Sequence, residues 1–441
     1  MNMKKWFLVF WVLVYGTMAA QDTLTLTPEG FQPQWMLLRY LKGSSAYYLK
    51  AADSVREGHP VYFIMENQPA GEYAIQYDVN HSRGFRFIYN GENVRIAFDP
   101  SRKYDARVEQ SRENKVYFAF LRQWDSLNRA IRKLKSDYIR TPSEQTQAEY
   151  ARLKKRYENL FARYRKIDTN MLAWHFIRAH YKQMPEHLFN AKAPYVRFAE
   201  KHYFDGIDMN DTVLYRSNIL TDRIYKYVME IPVPAYGPDK SKVYIHRIGE
   251  VFSRLHYLPM RADMLAGLAQ VFSRRDRSVT DTLVSYYRQL PEEYRNEALL
   301  AHLQSSPIPV KGEKLPVARL MALGKLHIDG RKPYHLFVFY SSDCPHCKRA
   351  LPAVYKHLKN NKNVQVIAIG LETEPEHWHQ FITSLKGWQH LMATDEEYNR
   401  IVTEYGIEYT PTWFLTDKKL NILEKVTGEH KIKKLLNFYK L

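Results

Sequence analysis

Cysteine is nearly missing from this chain: two residues in 441, Cys344 and Cys347. A fold stapled by disulfides is thereby excluded. So is a structural zinc site of the usual four-ligand kind, which needs a second Cys/His pair at matching spacing. Histidines such as His175, His180, His187 and His202 are scattered without the HExxH spacing that sets two imidazoles on one helix face. Each reads as a core or surface histidine, so no metal is expected. Acidic residues are in deficit, 47 against 65 Lys and Arg, a net charge of +18. Low-complexity tracts are missing too, and 45% apolar residues over this length support two or three packed domains.

No long apolar stretch is present either. The run Trp6 to Val14 is too short for a comfortable membrane span. It follows Lys4 and Lys5 and precedes Gly16-Thr17-Met18-Ala19-Ala20, the order of a secretory signal. Residues 1–20 are therefore read as a signal peptide, cleaved after Ala20 or Ala19, and the mature protein as soluble and exported. Between Ser101 and Asn170, 18 Lys and Arg face 9 Asp and Glu. An exported protein rarely meets nucleic acid, so no nucleic-acid partner is expected. Solvated helix faces, or attraction to an anionic membrane surface or acidic partner, account better for the excess.

What is present is concentrated around the two cysteines. The apolar, aromatic run Tyr334 to Tyr340 reads as a buried strand, and Lys348 to Lys359 is helix-compatible. Cys344-Pro345-His346-Cys347 thus sits where a strand turns into a helix, with both sulfurs on the first turn. Helix N-terminal amides and the His346 imidazole favour a thiolate on Cys344, and Cys347 can then attack the mixed disulfide that forms. The adjacent Asp343 opposes this, since a neighbouring carboxylate raises a thiol pKa. A redox site is preferred over two alternatives, a copper-type site of Cys344, His346 and Cys347 and an inert disulfide closing a loop too small to stabilise much.

Along the chain, residues 22–110 carry short strand-like segments: Trp35–Lys42, Ala46–Lys50, Val61–Glu66, Glu72–Val79, Gly84–Asn90 and Asn93–Phe98. Asn90-Gly91 is a strong hairpin signal, and the whole suggests an antiparallel β-sandwich. Residues 111–304 read as helical, opening with an αα-hairpin about Thr141-Pro142-Ser143. The helices expected after it are Met171–Lys182, Ala191–Tyr203, Asp211–Val228, Lys242–Leu255, Met260–Ser273 and Thr280–Gln289. Residues 305–441 form a last α/β domain, entered through a Pro- and Gly-punctuated linker, Ser305–Gly330. Its expected order is strand, Cys pair and helix, strand Val364–Leu371, helices Glu376–Leu385 and Asp395–Tyr405 (Asp395 as N-cap), strands Thr412–Thr416 and Ile422–Thr427, helix Glu429–Tyr439.

Three groups of residues resemble the thioredoxin superfamily, and within it the exported TlpA/ResA-like branch: the Cys-Pro-His-Cys run at its strand–helix junction, Pro352 in the following helix, and Tyr409-Thr410-Pro411-Thr412-Trp413-Phe414. The resemblance implies a thioredoxin fold, a cis Thr410–Pro411 bond lying against the Cys pair, and backbone pairing of Thr410 with an extended substrate. It implies no cofactor, since the electrons reside in the sulfurs. It further implies a periplasmic location, exported cysteine-containing proteins as substrates, and a membrane electron donor. Residues 22–110 are similar to the β-rich domain that precedes such thioredoxin domains, and His202-Tyr203-Phe204-Asp205-Gly206-Ile207-Asp208 resembles a helical domain of unknown function found in that context. Departures are specific: Asp343 replaces the usual Trp, Ala350 the ResA-like glutamate, and Val338 the buried thioredoxin aspartate. The carboxylates that usually receive the second cysteine's proton are thus absent from their positions. Reduction is favoured over DsbA-like oxidation, which the Pro-His dipeptide suggests. The rival from another class is an envelope-binding scaffold with a redox-insensitive adaptor domain. Oligomeric state is left open.

Overall fold

The structure, a computed structural model, describes residues 23–78, 84–102, 104–233, 235–304, 308–372 and 375–441. The expected signal peptide, Val79, Pro307 and the start of the expected linker lie outside these residues. The chain divides into two units, one within Met1–Leu134 and Ala148–Arg178, the other within Lys135–Gln147 and Ala179–Leu441. Neither division falls at residues 110 or 304.

The first unit opens with eight strands: β1 (Thr23–Pro28), β2 (Trp35–Lys42), β3 (Ser45–Asp53), β4 (Val61–Ile64), β5 (Gly71–Gln76), β6 (Phe85–Tyr89), β7 (Val94–Phe98) and β8 (Arg107–Gln110). They make two four-stranded sheets, β4-β1-β7-β8 and β3-β2-β5-β6, and Phe85 of one stacks on Phe98 of the other at 4.4 Å. Two expectations fail. β1 runs parallel to β7, so the first sheet is mixed; alternation reports which face a side chain occupies, not strand direction. Asn90-Gly91 does not close a hairpin either, because β6 and β7 belong to different sheets. The outward backbone of β6 is taken instead by a side chain: Asn114 accepts from Ile88 N at 2.8 Å and donates to Ile88 O at 2.7 Å.

Asn114 lies on α1 (Arg112–Arg140), which forms the expected hairpin with α2 (Glu144–Tyr164). Phe120, Leu127 and Ile131 of α1 and Tyr150, Leu153, Tyr157 and Leu160 of α2 are buried, as their three-and-four spacing requires. The start of α3 (Leu172–Ala179) is held by buried Glu113, whose carboxylate accepts from Leu172 N at 3.0 Å and Ala173 N at 2.8 Å.

In the second unit follow α4 (Lys192–His202), α5 (Ile219–Tyr225), α6 (Pro238–Phe252), α7 (Leu258–Ser273), α8 (Arg277–Arg288) and α9 (Glu297–Gln304). The expected helix Asp211–Val228 is broken into a 3-10 turn (Thr212–Arg216), α5 and a π turn (Lys226–Glu230). Ser217 is extended there, and its hydroxyl donates to Leu214 O at 3.0 Å and accepts from Ile219 N at 3.2 Å, replacing helix bonds. The His202–Asp208 motif is a structural turn. Buried Arg223 donates to Tyr203 O, Ala179 O and Tyr181 O, and Gly206 adopts φ +76° where a Cβ would lie 2.7 Å from the Tyr181 ring.

The last sheet has the order β11-β10-β9-β12-β13, with β9 (Tyr334–Tyr340) at its centre, flanked by β10 (Val364–Leu371) in parallel and β12 (Thr412–Asp417) antiparallel. β13 (Ile422–Thr427) pairs with β12, and β11 (Gln389–Ala393) adds a parallel edge. That edge strand escaped the sequence reading, because Gln389 and His390 dilute its apolar signal. Successive residues of β9 feed opposite cores. Leu336, Val338 and Tyr340 pack with α11 (Pro345–Leu358), α12 (Pro375–Ile382) and α14 (Glu429–Tyr439), whereas Phe337 and Phe339 pack with α13 (Asp395–Glu404) and Leu320 of α10 (Ala318–Ala322). Thr394, not Asp395, stands at the N-cap of α13.

Residues 308–330 of the segment expected as a linker are part of this domain. Gly312 N donates to Ile422 O at 2.9 Å, Ile422 N to Glu313 O at 2.8 Å, and Leu315 is buried. Lys311 also pairs at 2.8 Å with buried Glu424, which accepts from Gly237 N as well. Pro and Gly mark the absence of regular structure, not the absence of contacts. Among the described residues no helix is long and apolar enough to cross a membrane.

Candidate active site

β9 delivers the chain to the carboxyl edge of the sheet, and the turn Ser341–Asp343 hands it to α11. Cys344 is the N-cap, with φ −69° and ψ 120°, and Pro345 occupies the first helical position, where its missing N–H costs nothing. Cys344 is partly exposed, Cys347 is buried one turn in, and both are free thiols. Pro352 lies inside the same helix. The Thr410–Pro411 bond is cis, and Cys344 Sγ lies 3.5 Å from Thr410 O. The four residues expected to converge, Cys344, Cys347, Thr410 and Pro411, belong to one small region.

The two sulfurs are polarised in opposite directions. Burial pushes the Cys344 thiol up, but hydrogen bonding to Thr410 and to the amides of Cys347 and His346 outweighs it, and the net effect is a thiol below its ordinary range. Burial dominates at Cys347 and drives it up to about 12, against the Ser341 amide and with the help of Cys344. The accessible and the buried thiol are thereby distinguished by environment alone.

Two side chains beside Cys344 have partners that the sequence did not reveal. The His346 ring accepts from Arg349 at 2.9 Å on Nδ1, so the residue acts on Cys344 through its backbone amide. Asp343 turns to His377 Nδ1 at 3.0 Å and Lys348 Nζ at 3.8 Å, which offset its charge where it would otherwise oppose Cys344 ionisation. Three residues escaped the sequence reading: His377, Tyr340 and Glu372. Glu372, at the end of β10, is 1% exposed and accepts from Ser342 N at 2.8 Å and Ser342 Oγ at 2.7 Å. The rule that open α/β sheets place chemistry at strand carboxyl ends could have found it. Among the described residues no cluster of His, Cys, Asp or Glu could hold a metal ion.

The sheet, the helices on its two faces and the dithiol at its carboxyl edge define a thioredoxin-like domain, and residues 332–422 match the thioredoxin-like family model Thioredoxin_8. Among solved structures, similarity extends to the thioredoxin domain of a thiol-disulfide oxidoreductase from Bacteroides vulgatus (18% identity, 25% of this chain and 81% of that one, TM-score 0.23). A thiol-disulfide oxidoreductase from Bacteroides fragilis (26% identity, 24% and 81%, TM-score 0.20) is also similar. So is a thiol:disulfide interchange protein from Bacteroides sp. (19%, 26% and 77%, TM-score 0.22). No curated protein matches the chain. TM-scores this low leave the chemistry to be decided by the site's own geometry.

Proposed function

We propose that the protein is an exported, periplasmic thiol–disulfide oxidoreductase of the TlpA/ResA-like kind, working as a reductant on cysteine-containing exported proteins. The observation that carries this reading is the asymmetry of the pair: an accessible Cys344 held low at a helix start beside Thr410, and a sealed Cys347 held high. The Cys344 thiolate attacks a substrate disulfide, forming a mixed disulfide and releasing one substrate thiolate. Cys347 then attacks Cys344 Sγ, the second substrate sulfur leaves with the electron pair, and the substrate ends reduced as the dithiol is oxidised. A membrane electron donor would re-reduce the pair. Thr410 and Pro411 guide the substrate as an added strand, and Pro345 and His346 set the helix start. The two N-terminal sheets are read as a sandwich that, with the helical region, selects partners.

Replacing Cys347 with Ala in the exported protein is expected to trap mixed disulfides through Cys344; finding none, with disulfide reduction unchanged, defeats the proposal. The direction is set by the potential of the pair, with about −270 mV marking a reductant and about −120 mV an oxidant. The lowered Cys344 thiol favours the oxidant as second reading, since a stabilised thiolate makes a disulfide more oxidising.

A further inference from the structure

The resolving step needs a place for the Cys347 proton, and the two positions where related proteins keep a carboxylate hold Val338 and Ala350, both fully buried and apolar. A third carboxylate reaches the same layer from another strand. Glu372 is buried at the end of β10 and bonded to Ser342, two residues before Cys344. Its Oε1 converges with the Trp378 indole on the space above Gly370: a Cβ there would lie 2.4 Å from Trp378 Nε1 and 3.0 Å from Glu372 Oε1. Tyr340, the last residue of β9, is fully buried in the cluster that contains Cys347 and Trp378. The Tyr340 hydroxyl and the Trp378 Nε1 are both buried, meet no partner at full hydrogen-bond geometry among the described residues, and bond only loosely to each other. Weakly satisfied polar atoms are costly in a core, and here two of them flank a carboxylate beside a reactive pair.

We infer that Glu372, acting through the Tyr340 hydroxyl, is the positioning residue that receives the Cys347 proton when this sulfur resolves the mixed disulfide. The inference rests on the proposed dithiol chemistry and adds its proton path. As Cys347 Sγ attacks Cys344 Sγ, the Cys347 proton passes to the Tyr340 oxygen and the Tyr340 proton to the Glu372 carboxylate. The Cys344–substrate bond breaks, and the electron pair departs with the substrate sulfur. No other oxidant or reductant enters. The electrostatics agree. Burial, then the Glu372 charge and Cys347, push the Tyr340 phenol up against the opposing Trp378. Burial also pushes the Glu372 carboxyl up, with Asp343 adding and the Ser342 bonds and His377 opposing. A carboxylate so raised is a better base than an exposed one. The ionisable groups that face this pair are Asp343 of the preceding turn and His377 of α12 at Glu372, and Cys347 of α11 at Tyr340.

The test uses the full-length reduced protein and a small aromatic disulfide that releases a coloured thiolate. The first release reports attack by Cys344, and the second reports resolution by Cys347. Glu372→Gln keeps an acceptor for Ser342 but cannot take a proton. It is expected to slow the second release at least about tenfold at neutral pH, shifting that step's pH dependence upward, while the first release keeps its rate and pH profile. Glu372→Asp should recover part of the loss. Tyr340→Phe removes one oxygen whose bond, to Trp378, is only a loose one, so it carries the test should Glu372→Gln fail to fold; it too should slow only the second release. An unchanged second release, or equal slowing of both, overturns the proton path and marks Glu372 as a clamp on Ser342. A parent protein showing neither release defeats the dithiol reading itself, and the proton path with it.

Discussion

Two buried polar centres of the second unit make opposite use of burial. In the helical region Arg247 is 1% exposed, yet each guanidinium nitrogen is engaged: Val228 O, Ile231 O and Pro232 O accept from it, and Glu200 Oε1 accepts at 2.5 Å. It closes the carboxyl end of the π turn and leaves nothing reactive. Beneath the Cys pair the polar groups are incompletely matched: Cys347 is held far above its ordinary range, and Tyr340 Oη and Trp378 Nε1 bond only loosely, to each other. Saturated burial builds structure, whereas unsaturated burial stores protons and nucleophilicity, at a cost in stability that surrounding packing must offset.

The comparison can be broken or sharpened by experiment, beginning with the largest effect. Cys344→Ala should reduce turnover in an insulin-reduction assay to background, since the other thiol of the chain, Cys347, is buried. Next is selectivity of alkylation. At pH 8 the reduced protein should react at Cys344 at least about a hundredfold faster than at Cys347, because thiolate and not thiol is alkylated. The Cys344 rate should fall as pH drops through its lowered ionisation, while Cys347 should stay inert until pH approaches about 12; mass-mapped alkylation measures both. Arg247→Met should cost about 3 kcal/mol in denaturant unfolding of the helical region, by orphaning three carbonyls. It should leave both releases of the aromatic-disulfide assay intact, and a changed second release would break the contrast drawn above. Gly370→Ala should cost about 1–3 kcal/mol through overpacking, and by displacing Trp378 and Glu372 it should also slow the second release. Smallest is Asp343→Asn. With His377 and Lys348 already offsetting the charge, the Cys344 alkylation rate should change by less than about twofold; a larger rise would show that Asp343 does oppose the thiolate.

Legibility in the sequence followed the range of the interactions involved. The Cys pair sits in a local pattern, a strand running into a helix, and was readable within a dozen residues; Pro352, Thr410 and Pro411 were singled out only through the resemblance of their motifs. The α1–α2 hairpin was readable for the same reason, its apolar period being local. Glu372 was not, because nothing near it in the chain distinguishes a buried carboxylate from a solvated one; its meaning comes from Ser342, thirty residues away. The misread Asn90-Gly91 turn has the same origin, since Asn114 competes for the β6 edge from another element. Asp343 was singled out without its partner, His377 lying on a helix the turn does not adjoin in sequence.

Composition and short-range pattern were therefore enough to establish an α/β end domain, the helical middle and the two candidate sulfurs, because strand and helix periods and turn chemistry are written in neighbouring residues; the thioredoxin fold came from a resemblance of motifs. How far the two thiols are driven apart, where strands of the first unit run parallel, and which carboxylate sits beneath the dithiol depended on packing between distant segments. Burial and electrostatic environment are properties of that packing, and no single stretch of chain contains them.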